Sequence, residues 1–202
     1  MSDKPQANDV NFLFEIGSIR YLDRMWRRFY NKDFANLAEH HFRVFWIAMV
    51  IARNEGDVDT GKIAQMALLH DIAESRAGDV DYLSRQYVIR NEELGIKDML
   101  SGTSLEQEFY DLWQEYEERQ SIESKIVKDA DNLDVDLELA EQAAQGKTIS
   151  NEWSDLRSQN VRSKLFTETA KQLFDQIRAA NPHDWHLNGR NRHNDGDWKP
   201  SK

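Results

Sequence analysis

The chain has 202 residues, of which 40% are hydrophobic and 31% are charged, and its formal net charge is −10. This length is sufficient for one domain with a sizeable core. The acidic balance argues against a protein that coats nucleic acid, because binding to a phosphate backbone needs a basic surface.

Other classes of protein are excluded by what the sequence lacks. Cysteine is absent, so neither disulfide bonds nor zinc–thiolate sites can form. The longest apolar run, VFWIAMVIA, has nine residues and is far too short to span a membrane. The first ten residues, MSDKPQANDV, are polar and contain no signal-peptide core. We therefore expect a cytoplasmic protein that binds neither nucleic acid nor membranes.

Helical periodicity dominates the chain, with apolar residues recurring at a spacing of three or four. No convincing strand pattern and no glycine-rich phosphate loop are present. Asn36 followed by Glu39 predicts a helix start with a reciprocal cap, and Ser104 followed by Gln107 predicts another. The predicted helices cover residues 9–30, 37–53, 60–75, 104–119, 121–145 and 161–179.

These patterns predict an all-α protein, a globular helical bundle of about six or seven helices. One domain is expected over residues 9–180. From residue 181 onward the sequence NPHDWHLNGRNRHNDGDWKPSK is polar, rich in Pro, Gly and Asn, and without periodicity. Residues 181–202 are therefore predicted to form a polar C-terminal tail.

Two adjacent polar residues, His70 and Asp71, interrupt the apolar pattern of the sequence MALLHDIAES. Adjacent side chains of a helix point about 100° apart, so both can reach one ion lying between them. Glu74 follows His70 by four residues and is expected on the same face one turn later. The dipeptide alone is not specific, because residues 183–184 repeat it in the tail without an apolar helix around it. We assign no role to that second copy.

A metal ion needs further ligands, which polar positions beside the apolar stripes of other helices can supply. His40 lies in the first turn of the second predicted helix, and Asp131 lies beside the stripe of the fifth. With His70 and Asp71 they make two imidazoles and two carboxylates, a set that suits a divalent ion such as Mn, Co, Fe, Ni or Zn. The alternative is that these are ordinary polar residues and that the acidic positions near Asp131 form a solvated face.

Three segments of the chain combine into a family pattern: AEHHFRV, ALLHDIAESRAGDV and FYDLWQEYEERQSIESKIVKDADNLD. In this order they resemble the HD-domain metal-dependent phosphohydrolases. The most similar subgroup contains the bacterial 5′-deoxynucleotidases and their eukaryotic relatives. The likeness covers roughly residues 12–145, and it implies four metal ligands: His40, His70, Asp71 and Asp131.

The resemblance also implies roles for residues around the ion. Glu74 would act as the acid or base beside the attacking water, and Asp71 would share in the catalysis. Asp79 would contact the substrate, Arg24 would bind its phosphate, and Trp26 would pack on its sugar. The residues alone leave alternatives open, because a tryptophan is often a core residue and an aspartate after a glycine is often part of a turn.

The function implied by the resemblance is release of phosphate from (deoxy)nucleoside 5′-monophosphates through a metal-activated water. The implied cofactor is one divalent metal ion: Mn, Co, Fe, Ni, Zn or Mg. A homodimer is expected, because six Trp and nine Phe exceed what one small core needs. One alternative is an HD phosphohydrolase acting on another phosphorylated nucleotide, such as a cyclic nucleotide, a dinucleoside polyphosphate or (p)ppGpp. The other is a non-catalytic binding module derived from an HD domain.

The sequence leaves alternative roles open for several residues beside the proposed ligands. The sequence EHHF offers both His40 and His41 as the first ligand, and alignment with the family favours His40. Arg43 and Lys128 flank proposed ligands, where they can add positive potential or form ion pairs. Asp134 follows Asp131 by about one helical turn and can support a ligand or lie on the polar surface.

Overall fold

The computed structural model describes residues 6–30 and 33–189, which form helices joined by short turns. The α-helices are α1 (Asp9–Ser18), α2 (Leu37–Glu55), α3 (Thr60–Leu69), α4 (Glu74–Ala77), α5 (Glu92–Leu100), α6 (Glu106–Glu118), α7 (Ile122–Ala144), α8 (Ile149–Asn160), α9 (Glu168–Ala179) and α10 (Asp184–Leu187). Short 3₁₀ turns occupy Ile19–Tyr21, Met25–Arg28, Ser84–Gln86 and Arg162–Lys164. The described residues contain no strand, and their one isolated β-bridge joins Asp23 to Asn36. The prediction of an all-α bundle is confirmed.

Eight of these helices have nine or more residues, against the six or seven predicted, because the sequence did not reveal α5 and α8. Gly95 lies in the middle of α5 and weakens its helical pattern. A Cβ at this position would lie 3.4 Å from the carbonyl oxygen of Ala73, an ordinary van der Waals distance, so the packing of α5 does not itself require glycine. In α8 only Ser150 is buried, which leaves almost no apolar stripe to detect.

Several predicted helix ends are wrong. The helix predicted over residues 9–30 ends at Ser18, whose hydroxyl donates to the carbonyl of Glu15. The chain then becomes extended at Leu22, whose carbonyl accepts from the amide of Leu37. The reciprocal cap between Asn36 and Glu39 is confirmed.

The starts of α6 and α9 also differ from the sequence predictions. α6 begins at Glu106 with no side-chain cap, so the cap predicted at Ser104 is wrong. α9 begins after Thr167, whose side chain accepts from the amide of Ala170. The buried carboxylate of Asp129 accepts from the amides of Phe166 and Thr167, which fixes where α9 starts. This contact comes from another helix and has no local sequence signal.

The core lies around α7, which packs against α2, α3, α6, α8 and α9. Its apolar residues Ile126, Leu133 and Leu139 are fully buried. Burial of each such side chain contributes about 1.5–3 kcal/mol. Polar side chains at the junction of α2, α7 and the end of α3 are therefore held by three well-packed elements.

A second, aromatic cluster docks the segment between α1 and α2 against α7 and α8. Trp26 stacks on Phe34 with ring centroids 5.8 Å apart and meets Trp153 edge to face at 5.1 Å. Val135 and Leu139 of α7 complete the cluster. This packing fixes the 3₁₀ turn that carries Trp26, and with it the position of Arg24 immediately before.

The structure describes the first part of the predicted C-terminal tail. Residues 181–189 include α10, whereas residues 190–202 of the predicted tail lie outside the described part. The division at residue 180 stays a prediction.

Within the described residues, no helix combines the length and the hydropathy that crossing a bilayer requires.

Candidate functional site

The segment that carries His70 and Asp71 is not the regular helix that the sequence predicted. α3 ends at Leu69, and the amides of residues 72, 74, 75 and 76 then bond to carbonyls three residues earlier. This tighter winding replaces the last turn of the predicted 60–75 helix. The imidazole of His70 is fixed at its Nδ1 atom, which lies 2.8 Å from the carbonyl of Ala67.

Four of the sequence-predicted residues come together at the junction of α2, α7 and the end of α3. Each of His40, His70, Asp71 and Asp131 offers one ligand atom, and these atoms all lie within 4.8 Å of one another. The Nε2 atoms of the two histidines are 3.2 Å apart. Asp131 Oδ1 lies 3.3 Å from His40 Nε2, and Asp71 Oδ2 lies 3.3 Å from His70 Nε2.

The protonation pattern of this cluster fits a bound cation. His40 Nδ1 lies 2.6 Å from Asp134, and His70 Nδ1 faces a carbonyl, so both rings carry their proton on Nδ1 when neutral. Both Nε2 atoms are then acceptors that face each other and the carboxylates of Asp71 and Asp131. Such atoms repel one another unless a positive charge lies among them. The mixed nitrogen and oxygen set suits a divalent first-row ion.

The raised pKa of His40 also indicates that the surrounding carboxylates stabilise a positive charge at this position. Burial and the nearby charge of Arg24 lower the pKa of this imidazole. Hydrogen bonds to three surrounding carboxylates outweigh them and raise the pKa to about 10. The site therefore holds a proton on His40 where a metal ion would otherwise balance the carboxylates.

His41 does not join the cluster. Its ring is buried, with its centroid 4.7 Å from that of His70, and its Nε2 atom has no hydrogen-bond partner among the described residues. Burial, together with the charges of His70 and His40, holds the pKa of His41 well below its usual range. Of the two candidate histidines in the sequence, the geometry places His40 among the ligand atoms.

Asp134 is a buried support for His40 and not a surface residue. One carboxylate oxygen lies 2.6 Å from His40 Nδ1, and the other accepts from Arg43 Nε at 2.5 Å. Arg43 also bonds to Glu138 and Glu141 on the same face of α7. This chain of contacts fixes the orientation and tautomer of His40.

The two carboxylates of the cluster, Asp71 and Asp131, line a cavity of about 320 Å³ whose walls are mainly charged. All the predicted substrate residues line it, namely Arg24, Trp26 and Asp79, as do Asp71, Glu74 and Asp131. A larger depression of about 510 Å³ lies beside Ala38 and Phe42, but none of the clustered residues lines it. The smaller cavity is the one that can bring a ligand to the cluster.

Arg24 and Asp79 form a buried pair at this cavity. Arg24 Nη1 lies 3.5 Å from Asp71 Oδ2, and its Nε atom lies 3.4 Å from Asp79 Oδ2. Asp79 also accepts from the amide of Met25 at 2.9 Å. Trp26 packs mainly in the aromatic cluster and is only 5% exposed, although it also lines the cavity.

Glu74 is buried in the cavity wall with only one of its oxygens engaged. Its Oε1 atom accepts from Arg90 Nη1 at 3.2 Å, whereas Oε2 is buried and has no partner among the described residues. Burial and the charges of Asp71 and Asp79 raise the pKa of Glu74 to about 9, and nearby arginines offset only part of this. Such a carboxyl is protonated at neutral pH, and positive charge added beside Asp71 would lower its pKa toward the range in which it can accept a proton.

Comparison with known proteins agrees with this geometry. A family model described as HD domain matches residues 16–174. A 5′-deoxynucleotidase HDDC2 from Dictyostelium discoideum is 30% identical over 185 residues, which cover 83% of this chain and 97% of that protein. The chain belongs to the HD-domain family.

Solved structures share the HD-domain fold at lower identity. A conserved hypothetical protein from Pyrococcus furiosus superposes with a TM-score of 0.73 at 22% identity, covering 85% of this chain and all of that one. A protein from Magnetospirillum magnetotacticum, described as a predicted metal-dependent phosphohydrolase, gives 0.66 at 24% identity, covering 86% and 89% of the two chains. At these identities the likeness supports the fold alone.

Sequence reasoning missed several residues that line the HD-domain cavity. Arg90 lies on an irregular loop, and Arg157 lies on α8, which was not predicted. Tyr116 lies within α6, and Arg119 follows its last residue. Neither a loop position nor a helix position shows from the sequence alone that a side chain faces a cavity, so only the folded chain reveals these four.

Proposed function

We propose that this HD-domain protein is a metal-dependent phosphohydrolase that releases phosphate from deoxynucleoside 5′-monophosphates. The observation that carries the proposal is the cluster of two imidazoles and two carboxylates, whose carboxylates line a cavity rich in arginines. The resemblance to a protein named 5′-deoxynucleotidase supports the substrate class. A volume of about 320 Å³ lies near the lower end of the range for ligand pockets, which favours a mononucleotide over a dinucleoside polyphosphate.

One divalent metal ion is the proposed cofactor: Mn, Co, Fe, Ni, Zn or Mg. Its proposed ligands are His40, His70, Asp71 and Asp131, whose convergence is described above. When bound, such an ion lowers the pKa of water toward neutrality and withdraws charge from phosphate oxygens.

The side chains around the ligands bind the phosphate and the sugar and transfer the proton. Arg24 presents a guanidinium fork to the phosphate, and Asp79 holds that fork in place through its own contact with Arg24. Trp26 forms the wall against the sugar. Glu74 takes the proton of the attacking water at its free Oε2 atom and can pass it to the leaving oxygen of the nucleoside.

A panel of substrates tests the reaction. We expect metal-stripped protein to release phosphate from nucleoside 5′-monophosphates only after Mn, Co, Mg or Zn is added, with deoxyribonucleotides preferred over ribonucleotides. Release is measured as inorganic phosphate. Equal or greater release from cyclic nucleotides or (p)ppGpp would replace the proposed substrate class. Stoichiometric metal binding without hydrolysis of any of these compounds would favour the non-catalytic module.

Asp134→Asn is expected to weaken metal binding by about 10- to 100-fold, the usual effect of removing a group that orients a ligand histidine. The amide keeps the shape of the side chain but loses the charge that faces His40 Nδ1. Asp136→Asn is a matched control, since Asp136 is equally buried on α7 but pairs with Arg157 and contacts no ligand. Metal affinity is measured by competition with a chelator. Equal weakening in both variants would contradict the specific role of Asp134.

We also propose that the protein is a homodimer and that it is cytoplasmic. The dimer is supported by an apolar strip on the outer face of α2, where Phe42, Trp46 and Val50 are 66%, 55% and 47% exposed. We expect light scattering to give twice the chain mass of 23.7 kDa, and Trp46→Glu to reduce it toward that single value. A single-chain mass for the unaltered protein would contradict the dimer.

A further inference from the structure

The cavity is lined by six basic residues, and five of them have at least one protein acceptor within 3.4 Å. The engaged residues and their acceptors are Arg24 with Asp71 and Asp79, Arg85 with the carbonyl of Val80, Arg90 with Glu74 and Glu92, Lys128 with Asp131, and Arg157 with Asp136. The sixth is Arg119. Among the described residues its closest carboxylate contact is 3.5 Å, from Nη2 to Glu117.

Arg119 holds a buried donor without an acceptor. Its Nη1 atom is shielded from solvent and has no hydrogen-bond partner among the described residues. Leaving such a charged donor unpaired is unfavourable, and native structures nearly always pair it with protein, water or ligand. The hydroxyl of Tyr116, which lines the same cavity, is also buried and unpaired.

The backbone at Arg119 is also unusual. It is the one non-glycine residue with a positive φ, 54°, in the described part of the chain. This left-handed position directly after α6 is where glycine is most often found. An arginine side chain at a position that favours glycine indicates that the side chain has a use there.

The guanidinium group is linked to the metal-ligand cluster through the ring of Tyr116. Its Cζ atom lies 3.4 Å from the ring centroid of Tyr116, in a cation–π contact. The same ring meets the imidazole of His70 edge to face, with centroids 5.6 Å apart. One aromatic ring thus contacts both Arg119 and a proposed metal ligand, and the unpaired Nη1 atom belongs to a side chain that lines the same cavity as Asp71 and Asp131.

We propose that Arg119 is a second phosphate-binding arginine of the site, acting from the end of α6 independently of Arg24. Tyr116 acts as the platform that orients it. This inference rests on the proposed phosphohydrolase function, because the phosphate it would bind is that of the nucleotide and of the product. Arg119 has an unpaired Nη1 atom and a single carboxylate contact, at 3.5 Å to Glu117, whereas Arg24 already faces both Asp71 and Asp79.

The test uses binding of inorganic phosphate to the full chain loaded with Mn²⁺, measured by calorimetry. Arg119→Gly is the informative variant, since glycine suits the left-handed backbone and should leave the unfolding temperature unchanged or higher. We expect it to weaken phosphate binding by about 10- to 100-fold, the size of a hydrogen bond between charged groups. Arg119→Lys should recover part of the affinity, because it restores the charge but not the fork.

Arg85→Ala is the matched control, because it removes the same charge from the same cavity while its guanidinium is engaged by the carbonyl of Val80. We expect an effect of about twofold or less, as for a screened charge that makes no direct contact. Equal loss in the Arg85 and Arg119 variants would overturn the inference, and so would unchanged phosphate binding in Arg119→Gly. Weaker nucleotide binding with unchanged phosphate binding would also overturn it, since Arg119 would then contact the nucleoside.

Different results would contradict the proposed function and the assignment of Arg119. If the unaltered protein binds phosphate through Arg119 but hydrolyses no nucleoside 5′-monophosphate, the proposed function is wrong and the assignment of Arg119 as a phosphate ligand stands. If it hydrolyses these substrates and Arg119→Gly retains full affinity for phosphate, the proposed function stands and the assignment of Arg119 is wrong.

Discussion

Asp71→Ala is expected to reduce phosphate release from deoxynucleoside 5′-monophosphates by about 10³-fold or more, since a bound ion supplies several kcal/mol of transition-state stabilisation. Asp71 lies 3.3 Å from His70 Nε2 and 3.6 Å from His40 Nε2, so alanine removes one of four converging ligand groups. Arg24 loses a carboxylate partner at the same time. We expect metal content, measured by mass spectrometry of the purified protein, to fall from stoichiometric to trace.

The second HD dipeptide of the chain provides a control for this substitution. Asp184 follows His183 in the short helix α10, where it bonds to Asn181 and Asn188 and lies away from the cavity. Asp184→Ala should leave metal content and phosphate release unchanged. Full activity in Asp71→Ala would show that the cluster is not the reaction centre. Loss of activity with retained metal would restrict Asp71 to a role in the reaction itself.

Glu74→Gln is expected to lower kcat by about 10²- to 10⁴-fold, the usual contribution of a positioned acid or base. Glutamine keeps the shape of the side chain and can still accept from Arg90, but its side chain cannot take up a proton. The buried Oε2 atom, which has no partner among the described residues, is the atom at which that proton would be held. Metal content should stay stoichiometric, which separates this variant from Asp71→Ala.

Glu92→Gln is the matched control for the change at Glu74. Glu92 lines the same cavity and pairs with the same arginine, Arg90, at 2.5 Å. It has no contact with the proposed ligands among the described hydrogen bonds and ion pairs. We expect kcat to change by about twofold or less, as for a partly exposed ion pair that touches none of the proposed ligands. A kcat for Glu74→Gln within the same margin would remove Glu74 from the proposed mechanism.

The sequence was informative where chemistry depends on residue type and order. Apolar periodicity predicted most of the long helices, because a helix must bury one face whatever it packs against. The order of His40, His70, Asp71 and Asp131 along the chain identified the four residues that the structure brings within 4.8 Å. The family resemblance added Arg24 and Asp79, and the structure places both at the same cavity.

Residue patterns predicted helix ends wrongly where the backbone conformation depends on contacts with residues far away in the sequence. The tightening after Leu69 and the late start of α9 depend on tertiary contacts, such as the carboxylate of Asp129 on the amides before α9. The alternative left open at Asp134 was decided by burial, because Asp134 supports His40 inside the fold. Trp26 packs in the aromatic cluster and also lines the cavity, so its contact with the sugar stays a prediction.

What the sequence determined by itself is the helical class, the family and the identity of the clustered residues, because these depend on residue types at short or ordered spacings. Only the tertiary structure decided which side chains share the cavity and which have spare hydrogen-bonding groups. Tyr116 and Arg119 show the reason most clearly. Whether a donor is satisfied depends on every neighbour around it, and neighbours from other helices have no fixed distance along the chain.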